Sequence, residues 1–206
     1  LGQLLDKGVK IRMGQAECIV AGGTESMSLV PTAGWKTVPA YSIASDEPDY
    51  YLSMGLTAEA VAKEYKVNRS DQDEFSFNSH QKAISAITAG HFKAGILPVQ
   101  VEQVYADENG KRKIKTYIVD TDEGPRTDTT MDALGKLKPV FAANGSVTAG
   151  NSSQTSDGAA FVIVMSERMV RELNIKPLAR LVNCVSAGVH PRLMGIGPVE
   201  AVPKVL

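Results

Sequence analysis

Cysteine is scarce in this sequence of 206 residues, which contains only Cys18 and Cys184. Both lie in apolar segments with the pattern of a strand, where a buried thiol behaves as a small hydrophobic side chain. A disulfide framework, a zinc site and a nucleophilic role are therefore disfavoured. No secretory signal is visible either, so the sequence predicts a protein of the reducing cytoplasm.

Long apolar runs and an excess of one charge are also missing. No apolar run approaches the roughly 18–20 residues needed to cross a bilayer. The formal net charge is -1, which disfavours a nucleic-acid coat and a membrane-surface protein. Apolar residues make up 43% and charged residues 22% of the chain, proportions typical of a globular protein with one sizeable core and room for an insertion.

Small and polar residues are concentrated in residues 144–158, which are rich in Gly, Ser, Thr and Asn. A loop with few bulky side chains lets a ligand contact backbone N–H and C=O groups. The continuous apolar run at residues 159–165 follows, and it predicts a central strand covered on both faces. A small polar loop beside a rigid strand is typical of a binding site, although a surface loop explains this composition equally well.

Hydrophobic periodicity and turn residues place the other elements along the chain. Helices are expected at residues 57–66, 70–89, 131–137, 167–173 and 197–206. Strands are expected near residues 17–21, 97–106, 113–119 and 178–187. Residues 31–49, which mix Pro, Ser, Thr and aromatic residues without a period, are expected to form a loop.

Capping residues define the ends of the two longer helices. Thr57 is expected to cap the first. Ser70 and Asp73 resemble a capping box at the start of the second, and Gly90 suits a left-handed cap at its end.

Asn109-Gly110 is a strong hairpin signal between the strands at 97–106 and 113–119. The hairpin is basic and carries Lys111, Arg112, Lys113 and Lys115. These side chains fit a solvated sheet edge protected by lysines, with a phosphate site as the less favoured alternative.

The two strongest buried-strand patterns lie near Ile19 and near Val162, more than a hundred residues apart. One sheet interrupted by an inserted subdomain explains this separation best. The fold class is therefore predicted to be α/β with an insertion.

Four segments match one family when they are taken together. They are residues 20–28 (VAGGTESMS), 54–59 (MGLTAE), 149–160 (AGNSSQTSDGAA) and 194–199 (MGIGPV). In order and spacing they resemble the thiolases, which comprise acetyl-CoA acetyltransferases and 3-ketoacyl-CoA thiolases. The resemblance extends over about residues 13–206.

This resemblance implies a partial thiolase-like layered αβαβα core with an inserted loop domain. Residues 1–30 would end the N-terminal half, and residues 31–144 would form the inserted domain. Residues 145–174 would supply the last strand of the N-terminal half, and residues 175–206 would begin the C-terminal half. The parent protein would be a homodimer or a homotetramer.

Thiolases transfer acyl groups through a covalent cysteine. The resemblance places the nucleophile in a Cys-x-Ser-Gly motif before residue 20, and the catalytic His, Asn and second Cys beyond residue 206. Residues 1–12 do not resemble the nucleophile helix and are interpreted as a foreign or altered leader. The chain is thus expected to be an internal fragment without catalytic residues or a metal site, and inactive alone.

One histidine imitates the catalytic motif. His190-Pro191 lacks the preceding Gly and lies just before residues 194–199, so His190 is interpreted as a loop histidine.

The resemblance implies that coenzyme A, as a substrate and not a tightly bound cofactor, contacts seven residues. They are Met54, His80, Arg126, Ala149, Asn151, Ser153 and Met194. Arg126 would stack on adenine or pair with phosphate, with a solvated loop arginine as the alternative. His80 would contact the nucleotide in some members, and an exposed helix histidine is equally compatible.

The other five residues would surround the rest of the coenzyme. Ala149, Asn151 and Ser153 would line the pantetheine channel, where the Ser153 hydroxyl can bond a pantetheine amide. Met54 and Met194 would form the wall of its reactive end, although both could also be core residues.

Residues 152–154 (SSQ) resemble the degradative thiolases of fatty-acid β-oxidation more than the short-chain enzymes. Two alternatives remain open. The chain could be a non-catalytic thiolase-like module that binds coenzyme A or acyl-CoA or assists assembly. It could also fold only in part, with exposed sheet edges that self-associate. Neither a nucleic-acid nor a membrane partner is expected.

Overall fold

The computed structural model describes residues 8–206, and the chain forms two compact units. The terminal unit comprises Leu1–Val61 with Gln154–Leu206, and the central unit comprises Ala62–Ser153. The domain boundaries drawn from the family resemblance, including 31–144 for the insertion, stay a prediction.

The described chain contains both strands and helices. The strands are β1 (Cys18–Glu25), β2 (Val99–Ala106), β3 (Arg112–Val119) and β4 (Gly158–Met165). The α-helices that follow residue 40 are α1 (Tyr41–Asp46), α2 (Met54–Glu64), α3 (Arg69–Thr88), α4 (Met131–Gly135), α5 (Glu167–Glu172) and α6 (Gly197–Val205). Pro48–Tyr51 and Pro191–Ile196 form 3-10 turns, and residues 8–12 are also helical.

The terminal unit is built on an antiparallel pair of β1 and β4. The register runs from Cys18 opposite Met165 to Glu25 opposite Gly158. Two strands that are far apart in the sequence therefore share one sheet, which confirms the prediction of a sheet interrupted by other structure.

The prediction that β4 is a central strand covered on both faces is wrong. β4 pairs with β1 in a two-stranded sheet, and Phe161, Val162 and Ile163 are 64%, 52% and 63% exposed. An apolar run indicates that a strand needs to be buried, but it does not show what covers the strand. Among residues 8–206, only β1 pairs with β4. Both cysteines are likewise free and exposed, so their predicted burial is also wrong.

The two longer helices begin at other residues than expected. α2 begins at Met54, and Thr57 lies inside it and donates its hydroxyl to the Met54 carbonyl at 2.8 Å. For α3 the N-cap is Asn68, whose side chain accepts from the Asp71 N–H group, and Ser70 lies within the helix. Asparagine is among the best N-cap residues. It was missed because Ser70 and Asp73 resemble a capping box two residues later.

The end of α3 agrees with expectation. The helix ends at Thr88, and Gly90 has a φ of 75°, the left-handed conformation that terminates many helices.

The predicted hairpin is confirmed, with a wider turn. β2 and β3 pair antiparallel, and Ala106 lies opposite Arg112. Asp107 Oδ1 accepts from the N–H groups of Asn109 and Lys111, each at 2.9 Å. An aspartate that bonds its own turn is favourable in a loop of this length.

Two segments differ from the sequence-based expectation. Residues 178–187 form no strand, because no strand within residues 8–206 pairs with them. Residues 31–49 include α1 and the start of a 3-10 turn instead of loop alone. No helix in the described part of the chain is long and apolar enough to cross a membrane.

Candidate functional site

Gln72 Nε2 donates to Ser146 Oγ at 2.8 Å in the glycine-rich loop at residues 144–153, and Asn151 holds this loop within the central unit by three further hydrogen bonds. The Asn151 amide nitrogen donates to Asp73 Oδ1 at 2.9 Å and to the Ser146 carbonyl at 3.0 Å. Its amide oxygen accepts from the Thr148 N–H group at 2.7 Å. Asn151 therefore ties two backbone groups of its own loop to helix α3.

The aspartate that receives Asn151 is buried and paired. Asp73 is 3% exposed, and its other oxygen accepts from Arg69 Nε at 2.8 Å. Arg69 Nη2 in turn donates to the carbonyls of Leu134 and Leu137 at 2.6 and 3.1 Å. These carbonyls lie at the end of α4, where a cation is favourable. We call Arg69, Asp73 and Asn151 the anchor network.

Local packing restricts the loop further. Thr148 is fully buried, and its hydroxyl accepts from the Gly150 N–H group at 3.2 Å. A Cβ atom on Gly150 would lie 2.5 Å from Leu137 Cδ1 and 2.6 Å from Leu134 Cδ2. A larger residue at position 150 would therefore have to displace both leucine side chains.

The structure separates the roles of the three loop residues predicted to contact coenzyme A. Ala149 and Ser153 are exposed, whereas Asn151 is half-buried. The Asn151 amide is engaged in the anchor network, so it holds the loop instead of pointing a free amide at a ligand. Arg69 and Asp73 were not predicted from the sequence as members of this region. Their i, i+4 spacing at the start of the helix expected at residues 70–89 was the available signal.

A second cluster in the central unit joins His80 and Arg126. His80 Nδ1 accepts from the Arg126 N–H group at 3.1 Å. The Arg126 guanidinium donates from Nε to Asp128 Oδ1 at 3.1 Å and from Nη2 to Asp128 Oδ2 at 2.8 Å. His80, on α3, thus fixes the backbone of the segment that presents Arg126.

The charge state of the Arg126–Asp128 pair is set by this bidentate contact. The hydrogen bond to Asp128 and its negative charge raise the pKa of Arg126 above the ordinary value. The same contact with Arg126 lowers the pKa of Asp128 below its ordinary 3.8. Both side chains are exposed, so the pair can exchange for other ions in water.

The two predicted methionines lie in the terminal unit, and both are exposed. Met54 opens helix α2, and Met194 belongs to the 3-10 turn Pro191–Ile196. At the adjacent Gly195, an added Cβ would lie 3.4 Å from Val61 Cγ2 in α2. The turn and the helix that carry the methionines are therefore neighbours.

His190 stands in a loop position, as expected. Its Nδ1 accepts from the Arg192 N–H group at 3.3 Å, and it precedes the 3-10 turn as an N-cap.

The predicted residues form no metal cluster, and the cavity that the structure describes lies elsewhere. No group of three or more His, Cys, Asp and Glu side chains within residues 8–206 is arranged to hold a metal. A cavity of about 240 Å³ in the central unit is lined by other residues: Ile87, Phe92, Lys93, Ile96, Pro98, Asp120, Thr121 and Asp122.

The terminal unit contains one further contact between family motifs. Asp157 Oδ1 accepts from the Ser28 N–H group at 2.9 Å, just beyond the ends of β4 and β1. Both residues lie in segments that resemble thiolases.

Comparison with known proteins decides the family. The family model described as the thiolase N-terminal domain matches residues 5–168. The chain belongs to the thiolase family. Because residues 5–12 lie within this match, the interpretation of residues 1–12 as a foreign leader is wrong for them, and residues 1–7 lie outside the described part of the structure.

Relatives with thiolase names align with almost the whole chain. A 3-ketoacyl-CoA thiolase of Bacillus subtilis is 48% identical over 197 residues, which are 96% of this chain and 50% of the relative. An acetyl-CoA acetyltransferase of Pseudomonas aeruginosa is 45% identical over 208 residues, which are 95% of this chain and 51% of the relative. The chain spans about half the length of the curated relatives it matches.

Solved thiolase structures share the fold. The dimeric peroxisomal thiolase of Saccharomyces cerevisiae gives a TM-score of 0.84 at 35% identity, covering 99% of this chain and 50% of its own. Human mitochondrial 3-ketoacyl-CoA thiolase gives 0.82 at 34% identity, covering 100% and 53%. The α/β thiolase fold predicted from the sequence is thereby confirmed.

Proposed function

We propose that this chain supplies the coenzyme A side of the active site of a thiolase acyltransferase. Membership of the thiolase family supports the activity, and the loop that carries Ala149 and Ser153 supports the location. The observation that carries the proposal is this loop: it exposes small residues while its half-buried Asn151 is bonded to the buried Asp73. A fixed loop of small residues lets an extended ligand lie against the backbone.

In this proposal Arg126 binds the nucleotide end of the coenzyme. A guanidinium offers paired donors to phosphate and a flat face to adenine. Asp128 now occupies those donors, and an exposed ion pair of this kind costs little to replace by a phosphate. His80 acts through the Arg126 backbone, by fixing the direction from which the guanidinium projects.

Ala149 and Ser153 would line the path of the pantetheine arm. The absence of bulk at position 149 admits the arm, and the hydroxyl of Ser153 can bond one of its two amides. The prediction that Met54 and Met194 contact the acyl group rests on the family resemblance alone, and flexible thioether side chains suit such a role.

The reaction proposed for the whole protein is thiolysis of 3-ketoacyl-CoA. A cysteine thiolate adds to the keto carbon, the adjacent carbon–carbon bond breaks, and the acetyl-CoA carbanion takes up a proton. The thiol of a second coenzyme A then accepts the acyl group from the cysteine and regenerates the enzyme. The motifs that supply these groups in thiolases do not occur in this sequence, so we expect no turnover from these 206 residues.

The biological setting is also a proposal. The 3-ketoacyl-CoA thiolase names of the relatives support a role in β-oxidation, and the dimeric yeast thiolase supports a homodimer, with a homotetramer as the alternative. A cytoplasmic location rests on composition alone, and peroxisomal thiolases also occur among the relatives.

Calorimetry with coenzyme A tests the binding site. We expect the chain to bind coenzyme A and Arg126→Ala to weaken binding by roughly ten- to a hundredfold, since a charged hydrogen bond contributes roughly 1.5–3 kcal/mol. Arg180→Ala, which removes another exposed arginine, is the matched control and should bind as the wild type does. Equal binding by the wild type and Arg126→Ala would show that the nucleotide site lies elsewhere.

A non-catalytic module that binds coenzyme A is the second candidate, because the residues proposed to bind the coenzyme include no nucleophile. The gene sequence beyond codon 206 separates the two. An open reading frame that continues into a Gly-His-Pro motif supports the enzyme, whereas a stop codon supports the module. Thiolysis by the purified 206-residue chain would contradict both.

A further inference from the structure

We propose that Asn151 is a positioning residue, which preforms the pantetheine-binding loop by coupling it to the partly buried Arg69–Asp73 pair. This inference rests on the proposed function, because it assigns a role to the loop that we expect to bind coenzyme A. It concerns residues that would not touch the ligand themselves.

The oxygen and the nitrogen of the Asn151 amide are both hydrogen-bonded within the protein. Both amide hydrogens have acceptors, Asp73 Oδ1 and the Ser146 carbonyl, and the oxygen has the Thr148 N–H group as donor. Asn151 therefore fixes residues 146 and 148 relative to each other. An amide is the side-chain group that can donate and accept in one plane in this way.

Asp73, which accepts from the Asn151 amide, is held in place by burial and by Arg69. Asp73 is 3% exposed, and a buried carboxylate is stable only when it is paired and hydrogen-bonded. Arg69 supplies the charge and is itself fixed by two carbonyls at the end of α4. The loop is thus connected to two helices at once.

A loop that Asn151 holds in one conformation should bind its ligand more tightly. A loop that is already in its bound conformation does not have to be ordered when the ligand arrives, and this raises affinity without a new contact. Ala149 and Ser153 flank Asn151, so its removal should release the pantetheine side of the site. Arg126 is fixed by a separate contact, from its N–H group to His80, and should be unaffected.

Two ligands distinguish positioning from general damage. For Asn151→Ala we expect about tenfold weaker binding of coenzyme A, with adenosine 3′,5′-bisphosphate binding unchanged, because the latter lacks the pantetheine arm. Asn109→Ala, in the exposed hairpin turn, is the matched control. Equal losses for both ligands in a folded Asn151→Ala chain would overturn the inference.

Amide hydrogen exchange tests the same idea without a ligand. Thr148 loses its acceptor directly in Asn151→Ala, but Gly150 donates to the Thr148 hydroxyl and reports on the loop as a whole. We expect at least tenfold faster exchange at both amides, with the middle of α3 unchanged. Faster exchange at Thr148 alone would overturn the inference, because the loop would then keep its conformation without Asn151.

A milder variant covers the case in which Asn151→Ala does not fold. Asn151→Ser keeps a hydroxyl in place of the amide and leaves the Arg69–Asp73 pair intact, and the same two measurements should change in the same direction by a smaller amount. If the wild type binds neither ligand, the proposed coenzyme A site fails, while exchange at Gly150 still decides whether the anchor network orders the loop.

Discussion

At the scale of single residues, the candidate site contains two pairs of a carboxylate and a guanidinium, which are expected to have different roles. Arg126 is exposed and bonded to an equally exposed carboxylate, which suits a cation that must change partners. Asp73 is buried and bonded to Arg69 and Asn151, which suits a group that must not. The same chemical contact between a carboxylate and a guanidinium is therefore expected to be replaceable in one place and permanent in the other.

Asp157 provides a pH-dependent test at this scale. The hydrogen bond from the Ser28 N–H group lowers the pKa of Asp157 below its ordinary 3.8. A lowered pKa means that the contact stabilises the fold above about pH 3.8 and is lost as the pH falls through the lower folded value. We expect Asp157→Ala to lower the melting temperature by about 1–3 °C at pH 7, and the difference to disappear toward pH 2.

The control for this experiment is Asp157→Asn, whose amide oxygen can still accept from Ser28. It should melt close to the wild type at pH 7 and show no extra loss of its own in acid. An undiminished difference between the wild type and Asp157→Ala at pH 2 would show that the carboxylate does not stabilise the fold through this contact.

Residue types were easier to predict from the sequence than residue roles. The composition of residues 144–158 was enough to single out the loop, because small polar residues are visible in a single line of sequence. The partner of Asn151 was not visible, because Asp73 lies 78 positions away in sequence. Long-range pairing of polar groups leaves no periodic signal.

At the scale of elements, caps determine where the helices begin. Asn68 caps α3 by accepting from the Asp71 N–H group at 3.0 Å, and α3 carries Arg69, Asp73 and His80. Asn68 therefore caps the helix turn that begins with Arg69, which belongs to the anchor network.

Removal of this cap should destabilise the central unit. We expect Asn68→Ala to lower the free energy of unfolding by about 1 kcal/mol, because one N–H group at the helix start loses its acceptor. Urea denaturation monitored by circular dichroism measures this change. Asn68→Asp, which keeps an acceptor of equal rank, should remain within about 0.3 kcal/mol of the wild type, and an equal loss in both variants would contradict the capping role.

Helix and strand positions followed from local pattern where local forces decide them. The hairpin of β2 and β3 and the end of α3 at Gly90 depend on neighbouring residues, and both agree with expectation. The strand expected at residues 178–187 requires a partner strand, which hydrophobic pattern cannot supply. α1 and the 3-10 turn after it were missed, because short helices in a Pro-rich segment lack a readable period.

At the scale of the whole molecule, uncovered apolar surface is the main feature of the terminal unit. Exposed side chains of β4 would be buried in a layered core, and exposed patches of this kind promote association. The fold class could be predicted from the sequence. What covers the exposed face of the sheet could not, because the chain spans about half the length of its relatives.

We expect the isolated chain to self-associate through this sheet. Sedimentation velocity should show species larger than the monomer that increase with concentration. Substitution of Phe161 and Ile163 by Ser should shift the distribution toward monomer, because apolar area is then lost from the exposed strand. Substitution of Ile114 and Ile118 on β3 is the matched control, and an equal shift there, or a monomer at all concentrations, would contradict this role for β4.

The antiparallel pairing of β1 with β4 has a consequence for biosynthesis. β1 leaves the ribosome long before β4 exists, since Glu25 pairs with Gly158. The central unit, whose contacts are closer in sequence, is then expected to fold first, while β1 waits as an unpaired strand. A slow codon cluster or a bound chaperone would have its greatest effect on yield during that interval.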